Sequence, residues 1–199
     1  MKIVMLGTGD LTKIPRFTKI SEEKLKKLII DLGKLIAKKG HELVIIPDRG
    51  IPTEVAKVYK EKDGKKVYGL VPTKDQEYGV RHIEPYFHLL DEKIDVDSWY
   101  DADGKIASSG DVCIVVGMSP GIMREVTVLK YHYKYLESKT KVIWFKNTIS
   151  SKIPKEIEEE IPIIKELDKI DKIGVDMVKA NLKKYASTNQ IITLFKLLE

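Results

Sequence analysis

Between Ser108 and Leu136 the chain reads SSGDVCIVVGMSPGIMREVTVLKYHYKYL, and that order leaves few folds open. Val112-Cys113-Ile114-Val115-Val116 is an unbroken apolar run, the pattern of a strand covered on both faces, as in a parallel sheet. Gly117, Ser119, Pro120 and Gly121 break the strand, and an amphipathic helix follows with an acid, Glu125, expected in its first turn. Backbone N–H groups at a helix start lack intrahelical partners and favour an anion beside them. A ligand is therefore expected where this strand gives way to its helix, because ligands of parallel sheets sit at the carboxyl ends of the strands.

The rest of the chain repeats the strand-loop-helix theme. Met1–Leu6 is an apolar strand ended by Gly7-Thr8-Gly9-Asp10; two glycines let a phosphate approach the backbone, but no GxGxxG follows and an ordinary turn fits equally well. Leu11–Ile20, with Pro15 and no clear period, reads as a loop. Ser21 caps a helix over Glu22–Lys39, whose Leu25, Leu28, Ile29, Leu32, Leu35 and Ile36 form one apolar face ahead of Gly40. Glu42–Ile46 is a second strand, and Pro47–Thr53 turns into a helix over Glu54–Lys62. Within that turn Arg49 has two readings, a phosphate ligand or the partner of Asp48 or another loop acid in a salt bridge. Val67–Pro72 is a third strand.

Thr73–Asp101 carries no clear element. Its His82 and His88, six apart, match no standard zinc spacing, so no metal is expected. A short helix ends over Lys105–Ser109. Past the central helix come a strand at Lys141–Phe145, an exposed loop and short helix over Ser150–Glu160, an edge strand at Ile161–Ile164, and helices over Ile173–Tyr185 and Asn189–Leu198. Strands alternating with helices argue for right-handed crossovers. The expected fold is α/β, a Rossmann-like three-layer α/β/α arrangement around a mostly parallel sheet. One nucleotide-binding domain spans 1–199, with 146–199 as its helical extension.

Composition narrows the function classes. Hydrophobic residues at 43% and charged residues at 33% describe a globular chain. The single Cys113 lies inside the apolar run and reads as a core residue rather than a nucleophile. The net charge of +5 comes from lysine interleaved with glutamate and only four arginines, a solvated surface rather than a nucleic-acid footprint. With no signal region and no long apolar span, the expectation is a soluble cytoplasmic protein without a membrane partner. Abundant Lys, Glu and Ile fit a hot environment.

Gly117-Met118-Ser119-Pro120-Gly121-Ile122-Met123-Arg124-Glu125 resembles the nine-residue PGGxGTxxE motif of the LOG, or lysine-decarboxylase-like, family within the SMF/DprA–LOG (SLOG) Rossmann-like superfamily. Gly121 keeps a structural glycine and Glu125 the closing acid; Gly117, Met118, Ser119 and Ile122 replace the motif's Pro, two Gly and Thr. The opening strand-glycine unit, GKLIAKKGHELVIIPDRG, VYGLVP and SSGDVCIVVG resemble further family segments in the right order, over about Met1–Phe145. Pro47-Asp48-Arg49-Gly50 stands where the family is GGG-rich. The upstream Arg-Lys pair has no clear counterpart in Asp101-Ala102-Asp103-Gly104-Lys105.

The resemblance implies hydrolysis of the N-glycosidic bond of a nucleoside 5′-monophosphate, with no cofactor and no metal. Glu125 would stabilise the positive charge that develops on ribose and orient water. Gly7, Thr8, Gly9, Gly50, Gly117, Ser119 and Gly121 would supply phosphate contacts, with a cation from Arg49, Arg81 or Arg124. Bland alternatives stand beside these roles: a helix-dipole acid for Glu125 and a plain tight turn for Ser119 and Gly121; Tyr131, Tyr133 and Tyr135 have two readings, stacking on a base and packing or dimer contact. The resemblance further implies a homodimer. A non-catalytic nucleotide or phosphate-ligand sensor is the other functional reading.

Overall fold

The computed structural model describes residues 1–161 and 163–164. The helices expected over Ile173–Tyr185 and Asn189–Leu198 lie outside the described residues. Seven strands form one sheet: β1 (Lys2–Gly7), β2 (Glu42–Ile45), β3 (Val67–Val71), β4 (Glu92–Asp95), β5 (Val112–Val116), β6 (Lys141–Trp144) and β7 (Ile163–Ile164). Their spatial order is β4-β3-β2-β1-β5-β6-β7. Every pair is parallel, with β1 and β5 in the longest register, from Ile3 opposite Val112 to Gly7 opposite Val116.

Side chains alternate across each strand, so the apolar runs feed two cores. On one face Ile3, Met5, Leu43, Ile45, Val112 and Ile114 pack against α2 (Glu22–Lys38) and α3 (Ile51–Glu61) through Leu25, Leu28, Leu32, Ile51, Val55 and Tyr59. On the other, Val4, Leu6, Val44, Cys113, Val115 and Trp144 meet α4 (Trp99–Ile106), α5 (Pro120–Thr127) and α6 (Leu129–Tyr135) through Ala102, Ile106, Ile122, Val126 and Leu129. This is the expected three-layer Rossmann-like α/β/α fold. Cys113 is fully buried in the second core, and burial together with the nearby Glu125 carboxyl pushes its thiol well up, which leaves it inert.

Successive crossovers carry the chain outward from β1 through β2, β3 and β4, then back to the other side of β1 at β5. The direction of travel therefore reverses between β1 and β5. Adjacent connections leave such a point to opposite faces and open a crevice above the carboxyl ends of its strands.

Several elements differ from expectation. A short α1 (Lys13–Phe17) occupies part of the loop before α2. The third helix begins at Ile51, not Glu54, because Pro52 suits the first turn, where its missing N–H is no loss. The central helix is broken at Val128 into α5 and α6, and Glu125 falls in the second turn of α5, not its first. Within Thr73–Asp101 lie a 3-10 helix (Glu84–Leu89) and β4. That strand is largely exposed and has no apolar run. What holds it beside β3 is polar: Lys66 pairs with Glu92 at 2.6 Å, and the Asp91 carboxylate accepts the Val67 N–H at 2.8 Å. The short helix α7 (Lys155–Glu160) lies in the stretch expected to hold one. No helix among the described residues is long and apolar enough to cross a membrane.

Candidate functional site

Three turns meet at the reversal point: Gly7-Thr8-Gly9 after β1, Pro47–Gly50 after β2, and Gly117–Ser119 after β5. Thr8 ties them together. Its N–H donates to the Val116 carbonyl (3.3 Å) and its carbonyl accepts the Ile51 N–H (3.1 Å). Gly50 sits against this turn with φ of +106°, and a Cβ there would lie 2.3 Å from the Thr8 oxygen. The contact is possible only for glycine.

A cavity of about 240 Å³ opens here, lined by Gly7, Gly9, Asp48, Arg49, Trp99, Asp103 and Glu125 among others. A second, of about 420 Å³, is lined by Asp48, Tyr78, His82, Trp99, Tyr100, Asp103 and Arg124. Asp48, Trp99 and Asp103 line both, so the two cavities meet across these side chains. Helix α4 supplies Trp99 and Asp103 four residues apart, hence on one face. Its start is fixed by Ser98, whose hydroxyl accepts the Asp101 N–H at 3.1 Å.

The aromatic wall is held from both sides. Trp99 donates its ring N–H to the Gly79 carbonyl and its backbone N–H to Asp75, both at 3.0 Å. Asp75 also accepts the Tyr78 N–H, and these backbone donors hold its carboxyl below the usual carboxylate range. The 75–82 loop is thereby pinned to α4. His82 stacks on Trp99 with ring centres 5.2 Å apart, Tyr78 meets Tyr100 edge-on at 6.5 Å, and the Arg124 guanidinium lies 4.6 Å above the Tyr100 ring.

Two carboxyls line the smaller cavity, and one of them, Asp103, lines the larger as well. Burial, and secondly the Asp103 carboxylate, push Glu125 up to about 8. Burial raises Asp103 as well, opposed by Arg124, whose guanidinium lies 3.7 Å from it. The pair is thus poised to carry one proton, on Glu125, with Arg124 favouring the charged form of Asp103. Glu125 makes no hydrogen bond or ion pair among the described residues.

Of the residues singled out in the sequence, Gly7, Gly9, Arg49 and Glu125 line the smaller cavity and Arg124 the larger. Arg49 is exposed and forms no ion pair among the described residues, which removes the salt bridge to Asp48; Asp48 instead accepts the Arg49 backbone N–H at 2.6 Å. His82 also lines the larger cavity, and the other candidate phosphate contacts, Thr8, Gly50, Arg81, Gly117, Ser119 and Gly121, line neither. Thr8 is buried with its hydroxyl bonded inside its own turn. Gly50 supports that turn from behind.

Gly117 has φ of +85° and both its backbone groups engaged internally, its N–H donating to Thr148 at 2.7 Å and its carbonyl accepting the Trp144 ring N–H at 3.0 Å. Ser119 is the N-cap of α5, accepting the Ile122 N–H at 3.2 Å, and Gly121 lies in open space beside it. Ser119→Ala is expected to cost about 1 kcal/mol, a fall of about 2–4 °C in Tm for a chain of this size, read by thermal unfolding.

Tyr131 and Tyr135 are exposed and stacked on each other on α6, and Tyr133 donates to the Thr140 carbonyl; none of the three lines either cavity. Among the described residues no group of three or more His, Cys, Asp or Glu side chains could hold a metal ion. Sequence reading missed Trp99 and Asp103 as site residues. Their signal was present: a Ser98 cap followed by an aromatic and an acid spaced one helical turn apart.

Fold and site together define a Rossmann-like protein with a pocket at the switch point of a parallel sheet. The chain belongs to the SLOG cluster4 family, whose model matches residues 1–172. That places it in the SLOG superfamily rather than specifically in its LOG lysine-decarboxylase-like branch. A search of curated proteins finds no significant match.

Among solved structures it is similar to the Moco carrier protein from Chlamydomonas reinhardtii, with 21% identity, a TM-score of 0.58, and 94% of this chain and 97% of that one covered. It is also similar to the molybdenum cofactor binding protein from Rippkaea orientalis, with 16% identity, a TM-score of 0.53, and coverage of 83% and 89%. A third is DNA processing protein A from Helicobacter pylori, described with a single-stranded DNA binding mode, with 15% identity, a TM-score of 0.53, and coverage of 98% and 80%. At these identities the likeness is one of fold.

Proposed function

We propose that the paired cavities bind a nucleoside 5′-monophosphate and that Glu125 acts on its N-glycosidic bond. One observation carries this reading: an unpartnered, half-buried carboxyl lines the cavity that holds a glycine turn and Arg49, and that cavity shares Asp48, Trp99 and Asp103 with an aromatic pocket. Those are the three chemistries of a nucleotide in their covalent order. Arg49 and the Gly7–Gly9 backbone take the phosphate, Trp99 and the rings beside it take the base, and the two acids face the sugar between them.

The protonated Glu125 carboxyl donates its proton to a ring nitrogen of the base as the C1′–N bond breaks, and the bonding electrons leave with the base. The Asp103 carboxylate offsets the positive charge developing on the ribose. It then accepts the proton of the water whose oxygen bonds to C1′.

The test is release of free base, followed by chromatography, from a panel of nucleoside 5′-monophosphates. Expected are turnover by the native chain, a loss of 100-fold or more in Glu125→Gln, of the size that positioned acids supply, and a fall in rate as pH rises through about 8. No release from any member of the panel refutes catalysis.

A second reading, a non-catalytic carrier or sensor of a phosphorylated ligand, is supported by Asp103, an acid in the stretch where LOG proteins carry their Arg-Lys pair. The similarity in fold to a Moco carrier protein and to a molybdenum cofactor binding protein is in keeping with it. Thermal stabilisation by a ligand without turnover selects this reading.

A further inference from the structure

The larger cavity has a lining of unusual chemistry. Tyr78, His82, Trp99 and Tyr100 are rings, Asp48 and Asp103 are carboxylates, and Arg124 is a guanidinium; no Asn or Gln is among them. Tyr78 and Tyr100 keep 58% and 52% of their surface exposed, with Arg124 over one face of the Tyr100 ring, so the aromatic wall is accessible to a flat ligand. An ionised carboxylate only accepts hydrogen bonds and a guanidinium only donates them. Such a cavity fits a heterocycle with adjacent N–H donors on one edge and adjacent acceptors on the other.

The common bases differ sharply on this criterion. Guanine carries N1–H and the 2-amino group side by side, a pair of donors for one carboxylate. Its O6 and N7 form the acceptor pair that arginine reads bidentately. Adenine sets an acceptor, N1, beside its only amino group, and a carboxylate repels it; the side chains that suit adenine are Asn and Gln, absent here. Cytosine pairs one amino group with an acceptor, and uracil flanks its N–H with two carbonyls.

We propose that this cavity selects a ring with the 2-amino-4-oxopyrimidine edge, the edge that guanine and pterins share, read by Asp48 on the N1–H and amino side and by Arg124 on the carbonyl side. The assignment rests on the ligand-binding reading above and deepens it. Asp48 suits the role because its Oδ1 already accepts the Arg49 N–H, which fixes the carboxylate plane while leaving the second oxygen uncommitted. Arg124 is steadied between the Tyr100 ring and Asp103, a geometry that leaves guanidinium N–H groups free for the ligand.

The experiment is calorimetric titration of the full chain with GMP, IMP, AMP and CMP, and separately with a simple pterin, repeated for Asp48→Asn and Arg124→Gln. Circular dichroism and a melting curve establish that each variant is folded. Expected is GMP binding at least tenfold tighter than AMP or CMP, with IMP, which lacks the 2-amino group, weaker than GMP by a similar factor. Asp48→Asn is expected to remove most of the GMP-over-IMP difference, because the Arg49 N–H holds the amide oxygen and the N–H2 group then faces the ligand's own donors. Pterin binding without nucleotide binding keeps the edge chemistry and names pterin as the source.

Equal affinity for GMP and AMP within threefold overturns the proposal, as does an adenine preference, a discrimination untouched in folded Asp48→Asn, or no binding of either class. Base release is scored apart. A GMP preference without turnover leaves this inference standing and removes catalysis, whereas turnover without guanine preference does the reverse.

Discussion

Glu125→Gln is expected to make the protein more stable at pH 8–9, by roughly 3–5 kcal/mol, while leaving its stability at pH 4 nearly unchanged. The native Glu125 carboxyl holds its proton up to about 8, against 4.5 for an unhindered glutamate. Below pH 4.5 the group is protonated in both folded and unfolded chains and contributes no difference. Between 4.5 and 8 the folded chain binds one proton more than the unfolded chain, so the stability of the native protein falls as pH rises across this window. Above 8 the full cost of burying a charge beside Asp103 is present.

Glutamine keeps the size of the side chain and removes the titration. Urea unfolding of the two proteins at pH 4, 6, 8 and 9 reads the effect. Parallel curves at every pH would show that Glu125 is solvated and ordinary. A group kept at such a cost, with no hydrogen-bond partner among the described residues, marks a site whose chemistry opposes stability.

The layered fold could be read from the sequence because its strands are buried on both faces. Runs such as Val112–Val116 and Val67–Val71 exclude water on both sides, and that condition writes itself into composition. β4 escaped because it is an edge whose Glu92 and Lys93 face solvent and whose pairing rests on ion pairs and an Asp91 side chain, none of which has a period. The site was legible at its backbone and not at its walls. Gly7 ends β1, Gly9 lies just beyond it, and Glu125 sits on the helix that follows β5, so their place at the sheet's carboxyl edge comes with the topology. Tyr78 and His82 arrive through a loop that Asp75 folds back onto Trp99 of α4, a long-range contact of 24 residues that no local pattern encodes.

Gly117 and Ser119, which align with the motif, have polar groups engaged inside the fold: Gly117 gives its N–H to Thr148 and Ser119 caps its own helix. Glu125 lies on the helix that follows β5 after a three-residue turn, and such a helix presents about one side chain per turn toward the crevice.

Gly50→Ala is expected to destabilise the protein by about 3 kcal/mol or more, and to abolish ligand binding with it. Two costs add. The φ of +106° with ψ of −154° lies where a Cβ-bearing residue is strained, and the new Cβ would lie 2.3 Å from the Thr8 oxygen and 2.5 Å from the Gly9 Cα. Both contacts are backbone, so no side chain can swing aside to relieve them. The chain must part the β1 turn from the start of α3, stretching the Ile51 N–H to Thr8 bond that joins them. Gly9 and Arg49 stand on opposite sides of that seam, so separating it also dismantles the phosphate end of the proposed site.

Thermal unfolding is expected to show a loss of about 6–12 °C. Titration at a temperature where the variant is folded reads the binding defect separately. Gly121→Ala is the matched control: its nearest neighbour would be the Ser119 hydroxyl at 3.8 Å, its φ is not in the left-handed region, and alanine favours a helix. If Gly50→Ala proves as mild as Gly121→Ala, the seam is pliable and the glycine turn is not the rigid cradle that the proposed phosphate contact requires.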